Sequence, residues 1–346
     1  AAIKAVEQYG SGCSGSRFLN GTLDLHVELE RELARFLQKE DCMIFSTGFQ
    51  SNLSIISSIA GRSDYILSDN LNHASIVDGT RLSFAKTLKY RHNDMQDLER
   101  HLSRCAEDSK AGLLIVTDGV FSMEGEICNL PEIVRLAKKY GARIMLDDAH
   151  SIGVLGKTGR GTAEYFGLTA EVDLIMNTFS KTLASLGGCV AGDESVIHYI
   201  KHTARPFIFS ASIPPAQIAA AREALRILEA EPQRVHRLNE IAAYMRQGLA
   251  KLPHVKVHDS GNQVIPIIPI LTGTVGRTLV TAKTLLDNGV YVNPVFPPAV
   301  PGDNCLLRTS YTATHTNAQL DEALGIIGHV FADLAENTEI DFIVEI

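Results

Sequence analysis

Two apolar runs end in groups that can do chemistry. In "ARIMLDDAHSIG", residues 142–153, the run closes on Asp147 and Asp148, and His150 follows. In "LIMNTFSKTLASLGG", residues 174–188, a second run closes on Thr178, Ser180 and Lys181, ahead of Gly187 and Gly188. Ligands of open parallel sheets bind beyond the carboxyl ends of strands, so a carboxylate there reads first as functional and second as a helix cap. A lysine directly after a buried strand is costly unless it is paired or lowered in pKa; alone it reads as a surface lysine. Together, an aspartate at one strand end and a lysine 34 residues later at another suit pyridoxal phosphate. The lysine can form a Schiff base with the cofactor aldehyde. The aspartate can keep the pyridine nitrogen protonated, which makes the ring an electron sink.

A third segment competes. "YGSGCSGSR", residues 9–17, spells G-x-G-x-x-G from Gly10 to Gly15, and Glu30 stands twenty residues after Gly10. That dinucleotide fingerprint works only between a strand and the helix it opens. Here residues 1–9 read as the end of a helix, and "SRFLNGT" separates Gly15 from the next one. Glu30 falls inside an amphipathic helix predicted over 26–38. The nicotinamide or flavin reading fails on context. Loop flexibility and close backbone approach remain as reasons for the glycines.

The elements that must position these groups alternate. "CMIFS", "YILSD", "AKTLKY", "GLLIVTDG", "ARIMLDD", "DLIMNTF" and "GGCVAG" read as strands. Helices are predicted over "FQSNLSIISSIA", from about Ala74, over 94–104 and over 131–140. This alternation predicts an α/β fold: a mostly parallel central sheet with helices on both faces. After Pro214 and Pro215 two long helical stretches cover about 216–252. Short strands then mix with helices near 276–289 and 317–335, as in a smaller α+β domain. The predicted organisation is an N-terminal helical segment and Gly-rich loop over 1–40, a large domain over 41–215 and a small one over 216–346. The chain opens at Ala1 inside a helical pattern, so its native N-terminus is expected to lie further upstream.

Composition narrows the classes. With 45% apolar and 21% charged residues the chain reads as soluble and globular, and a net charge of −8 disfavours nucleic acid as a partner. No uncharged apolar run reaches the ~18 residues of a membrane span. "QVIPIIPILTGTVG" is broken by Pro266 and Pro269, which leaves peripheral contact with a membrane surface open. The six cysteines, at 13, 42, 105, 128, 189 and 305, form no C-x-x-C and lie at no zinc spacing from a histidine. They read as reduced core thiols of a cytoplasmic protein, and no metal site is expected.

Seven ordered motifs carry a resemblance: "GSGCSGSRFLNGT", "LNHASIVDG", "TDGVFSMEG", "DDAHSIG", "TFSKTLASLGG", "FSASIPP" and "LLRTSYTATHT". Over nearly the whole chain the sequence resembles the α-oxoamine synthase family of fold-type I pyridoxal phosphate enzymes. The resemblance implies that Lys181 holds the cofactor and moves protons. Asp147, rather than Asp148, would pair with the pyridinium, and His150 would bond the ring hydroxyl. His73 would stack on the ring and face the substrate; on spacing alone it is also an ordinary helix-start histidine. Ser122 would lie close to the ring. The backbone of Gly48 and Phe49 would cradle the phosphate, as helix N-termini do. Thr178 would add a hydroxyl there, and Ser212 would contribute from a partner subunit. Arg308, otherwise a surface strand residue, would grip the amino-acid carboxylate with its bidentate fork. The Gly10–Gly15 loop would border both the active site and a homodimer interface.

"FSTGFQSNL" and "NPVFPPAVP" point, within that family, to condensation of L-serine with palmitoyl-CoA. The implied products are CoA, CO2 and a 3-keto long-chain base, at the entry to sphingolipid synthesis. Phe296, Pro297 and Pro298 offer no charge to a carboxylate-ended acyl chain. Rival readings are condensation of glycine with acetyl-CoA, condensation of alanine with pimeloyl-CoA, and a catalytically dead regulatory homologue. The family's Asn-containing segment upstream of the Gly-rich loop does not occur in this chain.

Overall fold

The computed structural model describes residues 1–262, 264–300 and 304–335. The residues divide into two compact units. The first joins Ala1–Phe121 to Cys128–Pro232; the second joins Ser122–Ile127 to the chain from Gln233 onward.

The apolar runs of the first unit become seven strands: β1 (Asp41–Phe45), β2 (Tyr65–Asp69), β3 (Lys86–Tyr90), β4 (Leu113–Asp118), β5 (Arg143–Asp147), β6 (Leu174–Thr178) and β7 (Gly188–Gly192). They form one sheet in the order β1-β7-β6-β5-β4-β2-β3. β7 runs antiparallel to both its neighbours, and the pairs among β3, β2, β4, β5 and β6 are parallel. This is the mostly parallel sheet that the alternation predicts. β4, β6 and β7 are buried at every position, which explains the apolar runs that lead up to the polar ends of β4 and β6. Edge strand β3 keeps Lys86 and Lys89 exposed, a charge pattern that discourages pairing with another chain. Met43, Ile66, Val116, Met145, Met176 and Val190 pack with Ile55 and Ile56 of helix Gly48–Ile59 and with Ile200. Burying each such side chain contributes about 1.5–3 kcal/mol.

Helices Glu194–Thr203 and Arg205–Phe209 go beyond the sequence reading. His198, Tyr199 and His202 dilute the stripe of Ile197 and Ile200. Pro206 opens the second helix, where its missing N–H costs nothing. The change of pattern at Pro215 marks the start of helix Pro215–Ala230, which packs in the first unit on helices Ala2–Tyr9 and Asp24–Phe36. The two units part after Pro232.

The second unit has a four-stranded antiparallel sheet in the order β10-β11-β9-β8, with β8 (Lys256–Val257), β9 (Ile267–Gly273), β10 (Asn293–Val295) and β11 (Cys305–Ser310). Helices Gln233–Leu249, Val275–Asp287 and Asn317–Ala335 cover a core that includes Ile241, Met245, Ile268, Ile270, Leu307 and Phe331. Gln263 of the predicted strand, Pro301 of "NPVFPPAVP" and positions 336–346 of the predicted small domain lie outside the described residues. Among the described residues no helix is long and apolar enough to cross a membrane.

Candidate active site

Parallel strands bring their carboxyl ends to one edge. Along it stand Asp69 of β2, Asp118 of β4, Asp147 of β5 and Thr178 of β6. Helix Gly48–Ile59 begins at the same edge. Thr47 caps it by accepting the Gln50 N–H at 3.1 Å, which leaves the N–H groups of Gly48 and Phe49 without an intrahelical acceptor. A Cβ on Gly48 would stand 2.6 Å from Thr178 Oγ1, so only glycine lets this helix terminus meet the end of β6. The Thr178 hydroxyl donates to the Gly187 carbonyl at 3.1 Å and lies 2.9 Å from Ser180 Oγ. Nearby, Gln50 Nε2 donates to Ser210 Oγ at 3.4 Å. Two residues on, the Ser212 hydroxyl is buried with no hydrogen-bond partner among the described residues.

Asp147 is buried, and its Oδ1 accepts the Ala149 N–H at 3.0 Å. Its Oδ2 accepts from Asn52 Nδ2 at 2.7 Å. The same Asn52 nitrogen donates to Ser75 Oγ at 2.8 Å, and Ser75 Oγ lies 2.7 Å from His73 Nδ1. His73 does cap helix Ala74–Leu82, accepting the Ser75 N–H at 3.2 Å. The helix-start reading of His73 therefore holds, and the cap fixes the imidazole. The Phe49 ring meets it edge-on at 6.4 Å. Asp118 Oδ2 accepts the His73 N–H at 2.9 Å.

These groups sense one another. Desolvation pushes the His73 pKa below its usual value; Asp147 pulls it up and the Lys181 ammonium pushes it down. Burial first, and the Asp147 carboxylate second, push Asp118 well above the usual carboxylate range, against the pull of Lys181. Lys181 itself stands exposed in the turn after β6, and His150 is half-buried in the turn after β5. Asp148 takes the other side of the chain, as successive strand residues do. It is fully buried, accepts the Thr162 N–H at 3.0 Å and is raised by burial to about 6.

The structure thus brings together Lys181, His73 and Asp147 electrostatically, and Gly48 with Thr178 sterically. It adds Asn52, Ser75 and Asp118, which the sequence reading did not single out. Asp118 closes "GLLIVTDG" as Asp147 closes its own strand, so the same rule reaches it. Asn52 lies one turn beyond Gly48 and shares its helix face.

The Gly-rich loop keeps its context. Helix Ala2–Tyr9 precedes it, Gly10 leaves that helix at φ 81°, and the next helix starts only at Asp24. Glu30 is buried and clamps Arg17 through two bonds of 2.9 and 3.0 Å while accepting the Ile44 N–H at 2.9 Å. Buried His26 accepts the Leu23 N–H and donates from Nε2 to the Ile213 carbonyl, both at 3.1 Å. With the Ser212 N–H donating to the Gly15 carbonyl at 3.0 Å, the loop is pinned to the 211–213 segment.

Ser122 and Arg308 belong to the second unit. Arg308, half-buried on β11, donates from Nε to the Ser122 carbonyl at 2.6 Å and from Nη1 to Ser310 Oγ at 3.1 Å. Burial lowers its pKa.

The first unit's edge fits pyridoxal phosphate. The Gly48 terminus beside Thr178 suits a phosphate, buried Asp147 a pyridinium and Lys181 an aldehyde. Comparison with known proteins agrees. The family model "Aminotransferase class I and II" matches residues 1–327. A serine palmitoyltransferase of Bacteroides thetaiotaomicron is 53% identical over 94% of this chain and 81% of its own length. An 8-amino-7-oxononanoate synthase of Thermoanaerobacter pseudethanolicus is 42% identical over the same shares. The solved serine palmitoyltransferase of S. paucimobilis with a bound PLP–myriocin aldimine superposes with a TM-score of 0.93 at 35% identity, covering 97% of this chain and 83% of the other. With the fold, the strand-end residues and these likenesses in agreement, the chain belongs to the aminotransferase class I and II family.

Proposed function

We propose that this chain is a pyridoxal phosphate-dependent acyltransferase that condenses L-serine with palmitoyl-CoA, giving a 3-keto long-chain base, CoA and CO2. The observation that carries the reading is the cluster of His73, Asp147 and Lys181 at one sheet edge, in a chain 53% identical to a serine palmitoyltransferase. When bound, the cofactor supplies an electron sink for charge developing at the amino-acid α-carbon. Asp147 would face the ring nitrogen and keep it protonated. The Gly48 terminus and Thr178 would bind the phosphate, with Ser212 contributing from the partner subunit, and His150 would bond the ring hydroxyl. His73 would cover a ring face, and Ser122 would lie close to the ring. Lys181 Nζ takes the α-proton of serine. The α-carbon then bonds to the acyl carbon as CoA leaves, the carboxylate departs as CO2, and Lys181 returns a proton. Arg308 orients the serine carboxylate by paired N–H donation.

The chain would act as a homodimer in the cytoplasm, supplying sphingolipid synthesis. Exposed Ile3, Phe18, Leu19 and Phe209, on and near the Gly-rich loop and the segment it bridges to, support the dimer. A second reading, condensation of alanine with pimeloyl-CoA, is favoured by the 42% identical 8-amino-7-oxononanoate synthase. Steady-state kcat/KM for serine, glycine and alanine against acetyl-, pimeloyl- and palmitoyl-CoA decides. The proposal expects serine with palmitoyl-CoA to lead, and a lead for alanine with pimeloyl-CoA would overturn it.

A further inference from the structure

We infer that Asn52 and Ser75 form a relay that fixes His73 as the neutral, Nε2-protonated tautomer and ties it to the carboxylate of Asp147. Asn52 and Ser75 are each 1% exposed, so their hydrogens need acceptors inside the protein, while Asn52 Oδ1 is buried with no hydrogen-bond partner among the described residues. An amide nitrogen has two hydrogens. Asn52 directs one to Asp147 Oδ2 at 2.7 Å and the other to Ser75 Oγ at 2.8 Å. The opposite amide orientation would set an oxygen against a carboxylate, so the chemistry assigns this one. Ser75 Oγ, now an acceptor, has its own hydrogen left for His73 Nδ1 at 2.7 Å. The Ser75 backbone N–H reaches the same Nδ1 at 3.2 Å.

Two donors on Nδ1 leave no place for a proton there. An imidazolium would set its Nδ1–H against the Ser75 N–H. The charges around the ring divide: Asp147 favours the cation, Lys181 opposes it, and Asp118 is engaged by the His73 N–H at 2.9 Å. Phe49 adds an uncharged edge. His73 therefore presents Nε2–H as a donor without adding a positive charge beside Lys181. Asn52 and Ser75 act through other residues and are positioning residues. Their importance to catalysis rests on the cofactor reading above, whereas the relay itself is tested without cofactor.

The test is nitrogen NMR of histidine-labelled, cofactor-free protein, with His73→Asn used to assign the signal. Wild type should show unprotonated Nδ1 and protonated Nε2 as a single tautomer from about pH 6 to 8. Ser75→Ala and Asn52→Leu should each give a tautomer mixture and raise the imidazole pKa by about one unit. Ser75→Thr, which keeps the hydroxyl, should restore the single tautomer. In the loaded enzyme Ser75→Ala should lower kcat/KM about tenfold. An Nδ1-protonated or mixed His73 in wild type would overturn the relay, and so would an unchanged tautomer in both Ser75→Ala and Asn52→Leu. A single Nε2–H tautomer in a protein without condensation activity would support the relay and strike only the functional reading.

Discussion

At the amino edge of the seven-stranded sheet, Asp64 accepts the N–H groups of Gly61 and Gly112 at 2.7 and 2.9 Å. Asp173 accepts the Ile144 N–H at 2.7 Å and pairs with Arg143 at 2.9 Å. A cavity of about 510 Å³ opens there, lined in part by Asp64, Arg143, Asp173 and Asp193. At the carboxyl edge, Asp147 is held by the Asn52 side chain and Asp118 by the main chain of His73. Both edges are acidic, and the amino edge has space beside its carboxylates. The difference lies in the partners. Backbone amides and a guanidinium turn Asp64 and Asp173 into staples between neighbouring segments. At the carboxyl edge the partners are side chains and a cap residue linked to titrating groups, so one group's charge is felt by the next. Acidity plus space does not mark chemistry; coupling between titratable groups does.

Substitution should separate the two adjacent aspartates at the end of β5. Asp147→Asn should lower kcat by about three orders of magnitude, the scale of tuned proton chemistry. Asp148→Asn should cost far less in steady-state assays. Equal losses would erase the distinction between the two aspartates.

Next in size is a stability effect. Asp148 titrates near 6 in the fold, above the usual value of about 3.9. Its contribution to stability is present below that usual value and lost as pH rises through about 6, by roughly 3 kcal/mol. His26, lowered by burial to about 4, works in the opposite sense: its contribution is present above about 6.5 and is lost as pH falls through about 4. Urea midpoints against pH should therefore slope more steeply upward with pH in Asp148→Asn than in wild type. Parallel profiles would show that Asp148 is not the titrating group.

Arg308→Ala should weaken serine binding about ten- to a hundredfold, as loss of a charged hydrogen bond of about 1.5–3 kcal/mol requires. The cofactor absorbance should stay the same. A spectral change with unaltered serine affinity would move Arg308 from substrate to cofactor. Smallest is Asp64→Asn, which keeps one acceptor for two amides. It should destabilise the fold by about 1–2 kcal/mol in urea titration and leave kcat of the folded enzyme unchanged.

Much of this was legible in the sequence for a physical reason. Buried strands end abruptly, so Asp147 and Lys181 stood out as charges next to apolar runs, and the alternation gave the sheet. Asn52 and Ser75 were silent because their partners are remote in the chain: Asn52 meets Asp147 across 95 positions. The Gly-rich fingerprint failed its context test, but nothing in the spacing showed what Glu30 does instead. Its clamp on Arg17 and Ile44 N–H exists only after helix Asp24–Phe36 has packed on β1. Nor could the order of elements show that Ser122–Ile127, which follows β4 after Gly119, Val120 and Phe121, belongs to the second unit.

The central claim is that the carboxyl edge, through Lys181, is where pyridoxal phosphate is held. The direct measurement is to add the cofactor, reduce with borohydride, digest, and locate the phosphopyridoxyl group by mass spectrometry. The account predicts one stoichiometric label on Lys181, and loss of both the label and the visible absorbance band in Lys181→Ala. A label on another lysine, or a borohydride-sensitive band that survives in Lys181→Ala, would contradict it.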